Sequence, residues 1–534
     1  MKIKLLVSTL AAAALSACGG GSDSQPSAPA ATTPSTPTTK IAGTAAVGAA
    51  LANATVQAKC ASGSGTATTA ADGTFSIDIP NARRPCVLSV STPDGTTLHS
   101  VVEAGSGMTA TANITPLTEL ITASIAGKST NEFFASFDEQ AQAKLTTDGV
   151  STALDNVKLI LTGTVDLAGI DPLKDTLVAA HGNTPGNALD QKLDTLGETL
   201  KASQTSISDL STAVASNSGS AGGVQTILQP ASTTCASFRS GKYQKIGLTT
   251  NVVQRYTIDA IKLTQTNDST NAVEQFAANN SEACRFGNND FRLLASKSGI
   301  ALERRAGVNT NSSSLVIPEQ SIPLSELAGD WVALAFERDG NASNLGTGLV
   351  KFSMDSTGKF TSGADCSLSS CDAWAAADLP AASANPDGGF NIADPSGTAR
   401  AFAFKGVDGQ LAIAIVHQNG FMLAARPRTL GLPAVGTVNT YWDAALNPTG
   451  ATNITDGSNT VVSVDTAANT YTRQHADGHF DTWQINVPFV GVRYRAPAQG
   501  VNEVVSLNLA NSGLSAVISV NPSNVFYSIS INRP

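Results

Sequence analysis

One short stretch, His475-Ala476-Asp477-Gly478-His479-Phe480-Asp481, holds two of the five histidines in this sequence beside two carboxylates. An Asp-Gly pair favours a tight hairpin turn, because glycine adopts positive φ freely, so the flanking residues return alongside each other. His475, His479 and Asp481 would then converge as three nitrogen and oxygen ligands suited to Zn²⁺. No fourth ligand is evident, and a solvated polar hairpin end is the plainer reading. Cys366-x4-Cys371 has ligand-like spacing but lacks the second pair that a tetrahedral site needs. Ser356-x-x-Lys359 has the spacing of an acylated serine and its lysine, yet Asp355-Ser356-Thr357-Gly358-Lys359 is the composition of a turn. Gly127-Lys128-Ser129 ends like a phosphate loop, but Thr122 stands where the first glycine belongs. No Gly-x-Ser-x-Gly elbow occurs. The residues therefore indicate no catalytic group and no cofactor.

The elements that would position these residues are strands. Ser216 to Gly223 reads as a linker, and beyond it the pattern is short and alternating, as in β-meanders. Two stretches of equal length repeat, Gly329-Asp330-Trp331 to Ala425-Arg426-Pro427 and Gly436 through Tyr441-Trp442 to Asn532-Arg533-Pro534. Within them Val350 to Asp355 parallels Val461 to Asp465, Phe360 parallels Tyr471, Phe390 parallels Trp483, and Phe421 parallels Phe526. A weaker relative runs from Gly241-Lys242-Tyr243 to Glu303-Arg304-Arg305. The repeats are expected to form barrels or sandwiches, with Trp331, Tyr441, Trp442 and Trp483 as candidate contacts for a partner.

Upstream, Thr55–Cys60, Thr74–Ile79 and Cys86–Val90 alternate as strands, and Asp72-Gly73 and Asp94-Gly95 supply turns. Thr115-Pro116 is an N-cap followed by proline at the first helical position, where its missing N–H is not needed. Leu189, Leu193, Leu196 and Leu200 form a narrow stripe, expected to pack within a helical hairpin or bundle. The predicted organisation is multidomain and mainly β with a helical segment: 1–17, 18–40 as a tether, 41–113 as a β-sandwich, 114–215 helical, 216–232 as linker, 233–315 as a β unit, then repeats at 316–430 and 431–534.

Lys2 and Lys4 precede an apolar run too short to span a bilayer, the pattern of a secretory signal ending at residue 17. Leu15-Ser16-Ala17-Cys18 resembles the lipobox of bacterial lipoproteins. That resemblance implies cleavage before Cys18, acylation of Cys18, and, with Gly19 rather than aspartate following, residence at the outer membrane on either its periplasmic or its cell-surface face. Setting Cys18 aside leaves six cysteines, an even count suited to an oxidising compartment. Their spacing favours neighbours pairing as Cys60–Cys86, Cys235–Cys284 and Cys366–Cys371. Gly43, Val47, Leu51 to Val56, Thr69 and Asp72 to Phe75 resemble the carboxypeptidase-regulatory, transthyretin-like sandwich, which implies a structural module without catalytic residues. Gly-x-Trp on a first strand with arginine on a last strand resembles lipocalin-like barrels, which implies Arg426 over Trp331 and Arg533 over Trp442.

Charged residues are only 14 % of the chain and glycines number 46, a balance suited to extracellular β modules. Removing the signal takes the formal charge from −9 to −11, which excludes an electrostatic grip on nucleic acid or anionic lipid. Aromatics at 5 % are too sparse for the girdles of a transmembrane barrel. The expected function is non-enzymatic: a lipid-anchored envelope protein displaying a β-rich region to polysaccharide, another envelope protein or a host surface. A carrier of a small apolar ligand in the C-terminal units is the alternative, and a hydrolase of extracellular polymer a third reading.

Overall fold

The computed structural model describes residues 37–217, 221–306, 312–338, 345–395, 397–451, 454–509 and 511–534. The signal segment, Cys18 and nearly all of the tether lie outside the described residues. The chain is mainly β, in several sheets with one helical region.

In the strand Thr74–Pro80, Phe75, Ile77 and Ile79 are buried while their neighbours face solvent, the period of a half-buried strand. It pairs with Thr38–Thr44, which also runs parallel to Thr109–Thr111. The opposing sheet has four strands, in the order Ser64–Thr68, Thr55–Ser62, Arg83–Ser91, Thr97–Val102. Cys60 and Cys86 are directly opposite in that sheet and bonded to each other, and the other two disulfides are Cys235–Cys284 and Cys366–Cys371. Sequential pairing therefore holds throughout.

The helix Pro116–Ala126 starts as its sequence dictates: the Thr118 amide donates to Thr115 Oγ1 at 3.2 Å, and Pro116 occupies the first turn. All its residues from Leu117 onward are buried between the sandwich and the helices Thr147–Ile160 and Ile207–Ser216. Glu119, 3 % exposed, ties these layers together. It accepts from the His99 amide at 2.8 Å, Thr130 Oγ1 at 2.7 Å and Ser211 Oγ at 2.7 Å, and lies 2.9 Å from His99 Nδ1. Leu189, Leu193 and Leu196 of the helix Ala188–Ser203 are buried in the same cluster, so the leucine stripe packs within the chain.

The stretch 216–232, read as a linker, carries the helix Gly222–Ile227 and the short strand Ala231–Ser232. Its glycines serve close approach: a Cβ on Gly222 would meet the Ser321 carbonyl oxygen at 2.5 Å, and one on Gly223 the Lys405 carbonyl oxygen at 3.0 Å.

Three rolled sheets follow, built on one plan: the first strand pairs with both the second and the last. These trios are Gly241–Gly247 with Val253–Asp259 and Ser312–Pro318, Gly329–Arg338 with Leu345–Met354 and Gly420–Ala425, and Val438–Asn447 with Thr455–Asp465 and Tyr527–Asn532. In the first two the sheet ends between its fourth and fifth strands, whereas the third closes into a ring. The weak relative at Gly241 is thus a full repeat reaching Pro318. The pairing of Phe390 with Trp483 slips: Phe390 lies on the sixth strand of its sheet, and Trp483 on the fourth of its barrel if the two-residue strand Gly450–Ala451 is left aside. The short strands Cys371–Ala373 and Ala381–Ala384 upset that alignment.

One apolar core joins the outer faces of all three sheets, drawing Ile246 and Leu315 from the first, Leu334 and Phe421 from the second, and Trp442, Tyr527 and Ile529 from the third. Phe421 and Tyr527 meet edge to face with centroids 4.9 Å apart. The second sheet also fills its concave side with apolar groups, Trp331, Phe352, Phe360 and Phe390 among them.

Glu119→Ala should strand several buried donors between sandwich and helices. We expect destabilisation of the N-terminal half by roughly 3–5 kcal/mol, seen in calorimetry as an earlier first transition with the C-terminal transition unmoved.

Candidate functional site

Along Val438–Asn447, Trp442, Ala444 and Leu446 turn outward into the shared core, so the period of two sends Asn439, Tyr441 and Asp443 into the barrel. On Tyr527–Asn532 the same alternation buries Tyr527, Ile529 and Ile531 outside and sends Ser528 and Ser530 inside. The third barrel is therefore apolar on its packed exterior and mixed within, its polar groups set beside an apolar cluster of Val461, Tyr471, Trp483, Ile485 and Val504. Its lumen is a cavity of about 500 Å³, within the usual size range for small-molecule sites.

Asp481 organises the wall. Its cross-strand neighbour Arg473 donates to both carboxylate oxygens, at 2.9 and 2.6 Å, and Arg495 Nη1 and Trp483 Nε1 donate to Oδ2 at 3.0 and 2.9 Å. His475 Nε2 stands 3.2 Å from Oδ2, close enough for an ion pair but not aligned for a hydrogen bond. Burial by itself would raise the Asp481 carboxyl, but the contacts from His475 and Arg473 hold it well below the usual carboxylate range. Burial works against the charge on Arg473 too, and Asp481 more than restores it. The guanidiniums of Arg473, Arg493 and Arg495 surround one indole, 5.1, 5.3 and 5.1 Å from the Trp483 ring.

Arg493 differs from the other two. Its Nη1 donates to Tyr471 Oη at 3.3 Å and its Nη2 to Ser506 Oγ and Asn508 Oδ1 at 2.9 Å each, all neutral partners. Across the lumen, packing pushes the Asp443 carboxyl above its ordinary range despite hydrogen bonds from Ser530 and Ser528. Asp443 is thus poorly suited to carry the balancing negative charge.

The residues expected from sequence divide clearly. Trp331 and Trp442 are each 1 % exposed and present no face to a partner. The cation pairs do form, with Arg426 4.4 Å from the Trp331 ring and Arg533 5.4 Å from that of Trp442. They lie on opposite sides of their sheets, because Trp331 belongs to the second sheet's own core and Trp442 to the shared one. Trp483 and Tyr441 line the lumen, Trp483 as the pillar of three arginines and not as an open platform. His475 and His479 stack with rings 4.0 Å apart, but His479 is exposed and held by Asp477, while Asp481 is saturated by guanidiniums that repel a metal ion. Among the described residues no group of three such ligands is placed to hold a metal. Cys18 is outside the described residues. Sequence reasoning missed Arg473, Arg493, Arg495 and Asp443. Their signal was the step of two in Tyr471-x-Arg473-x-His475, Arg493-x-Arg495 and Tyr441-x-Asp443, an alternation that does not by itself say which face is inside.

No protein-family model and no curated protein matches this sequence. Among solved structures, one match is a protein of unknown function from the DUF3598 family of Nostoc punctiforme PCC 73102, at 13% identity and TM-score 0.17, covering 40% of this chain and 100% of that one. Another is the vaccine antigen transferrin binding protein B from Haemophilus parasuis Hp5, at 5% identity and TM-score 0.19, covering 53% of this chain and 65% of that one. At such scores neither match carries an argument.

Asp481→Asn keeps the shape and removes the buried charge that two partly buried arginines share. The barrel should lose about 3–5 kcal/mol, read as a lower Tm with earlier solvent exposure of tryptophan. In the wild type, a carboxyl held low in the folded state stabilises fully above its unfolded value and loses that contribution as pH falls. The gap between wild type and Asp481→Asn should therefore narrow on acidification, which pH-dependent melting will measure.

Proposed function

We propose that this chain is a non-enzymatic, lipid-anchored envelope protein that holds a polar binding site away from the outer membrane. Acylated Cys18 supplies the membrane tie, and the tether, sandwich and helices serve as spacer. No helix among the described residues is long and apolar enough to cross a membrane. The observation that carries the binding half of the reading is the lumen of the third barrel, roomy and lined by arginine, serine and asparagine. That lining favours recognition of a hydrated, hydroxyl-rich partner such as polysaccharide.

Carriage of a small apolar ligand is disfavoured in both repeats. The third barrel's wall has apolar members such as Val461, Ile485 and Phe526, but sets Arg473, Arg493, Arg495 and Asp443 among them, which a purely apolar ligand would have to desolvate. The second fills its concave side with its own aromatic side chains.

Phase separation in a cloud-point detergent tests the anchoring. The full-length protein should partition into the detergent phase, and Cys18→Ser should shift it to the aqueous phase. Aqueous recovery of the wild type would defeat the lipid anchor. Protease treatment of intact and lysed cells will then separate the two faces: digestion of intact cells marks display outward.

A further inference from the structure

One arginine in the lumen wall of the third barrel keeps a donor without an acceptor. Arg493 Nε is inaccessible to solvent and unpartnered. Asn459 is 2 % exposed; its Oδ1 accepts from Asn439 Nδ2 at 3.0 Å, and its side chain also interacts with the Tyr441 hydroxyl. The Arg493 Nε atom is shielded from the lumen, but the Arg493 side chain itself lines the cavity, so its guanidinium is available there to an accepting group.

The charge balance points the same way. Arg473 and Arg495 share Asp481, while Arg493 meets only neutral oxygens. The remaining lumen carboxylate, Asp443, is engaged by Ser528 and Ser530 on another part of the wall. The three guanidiniums thus outnumber the Asp481 carboxylate, and Arg493 has no carboxylate partner, which suits an anionic group on the ligand at that position. Around it Ser506, Ser515 and Asn508 offer groups that accept, and in the serines also donate, the complement of a ring bearing several hydroxyls. The volume of about 500 Å³ accommodates one or two sugar rings. The mouth lies where Asn532 and Gly431 are exposed, so a chain end can enter.

We propose that the lumen of the third barrel binds a sugar acid, a saccharide unit whose carboxylate sits on Arg493 and whose hydroxyls meet the serine and asparagine side chains of the wall. This rests on the reading of the chain as a polar-ligand binding protein and narrows the ligand to one class. The unit could arrive as a free monosaccharide or as the end of an acidic polysaccharide.

Calorimetric titration of the full-length protein with glucuronate, galacturonate and N-acetylneuraminate, set against glucose, galactose and N-acetylmannosamine, tests it. At least one acid should bind, with its neutral counterpart roughly tenfold weaker or more, as expected for loss of a charge-assisted hydrogen bond. Arg493→Gln should weaken the acid by a similar factor and leave the neutral sugar unchanged. Arg493→Lys, which keeps the charge but not the fork, should fall between. Asn459→Asp supplies an independent arm by placing a carboxylate against the ligand, and should also weaken the acid. Tighter binding of an acid-terminated oligosaccharide than of its monosaccharide would assign the polymer source, and equal affinity the free sugar. Equal binding of acid and neutral sugar, binding of inorganic sulfate or phosphate as tight as any acid, no binding by any probe, or unchanged affinity in both Arg493 variants would each overturn the proposal. Those failures leave detergent partitioning through Cys18 untouched, so the lumen and the anchor stand or fall separately.

Discussion

Three rolled sheets bury their outer faces against one another, and that constraint governs the C-terminal half of the molecule. A rolled sheet has two faces, and usually the inner one collapses into a core while the outer one meets water. Here the outer faces are apolar as well, with Leu334, Phe421, Trp442 and Tyr527 inside one continuous cluster. The inner faces are then free to diverge. The second sheet fills its inner face with Trp331 and its aromatic neighbours, and the first encloses an ion cluster in which Lys245 and Arg305 pair with Glu303 while Arg305 also pairs with Glu274. The third keeps an open lumen.

An open lumen with three arginines needs an internal anion to exist at all. Asp481 fills that role for two of them, and Trp483 fixes the spacing of all three by lending its ring. The wall is consequently pre-organised: its donors are held by cross-strand pairing and stacking rather than by the arrival of a ligand. The disulfides belong to other regions, and the third barrel holds its shape by ring closure and charge.

Much of the architecture was legible in sequence. Strand alternation in Thr74–Pro80, the Thr115-Pro116 start signal, the leucine stripe and the in-order cysteine pairs all act locally, and local chemistry decided them. The repeat was legible because its first and last strands keep their residues, including the arginines over Trp331 and Trp442. What was not legible was sidedness. A period of two shows that Tyr441 and Trp442 face opposite ways, but only the presence of two further sheets shows which way is in. The histidine cluster failed for the same reason. His475 and Asp481 do meet, yet Arg473 and Arg495 arrive from register and topology and turn a ligand set into an ion-paired wall. Gly222-Gly223 carried the composition of a flexible linker and serves helix packing against distant backbone.

The strand Thr38–Thr44 lies in the middle of its sheet, antiparallel to Thr74–Pro80 on one side and parallel to Thr109–Thr111 on the other. Tension reaching the folded body through the residues before Thr38 would run along that strand, across hydrogen bonds that lie perpendicular to it. The bonds on both flanks share the load and must yield together, in shear, instead of opening one at a time like a zipper. A molecule held by its leading end and pulled by a large partner at the other would thus meet the force with one of its mechanically stronger attachments.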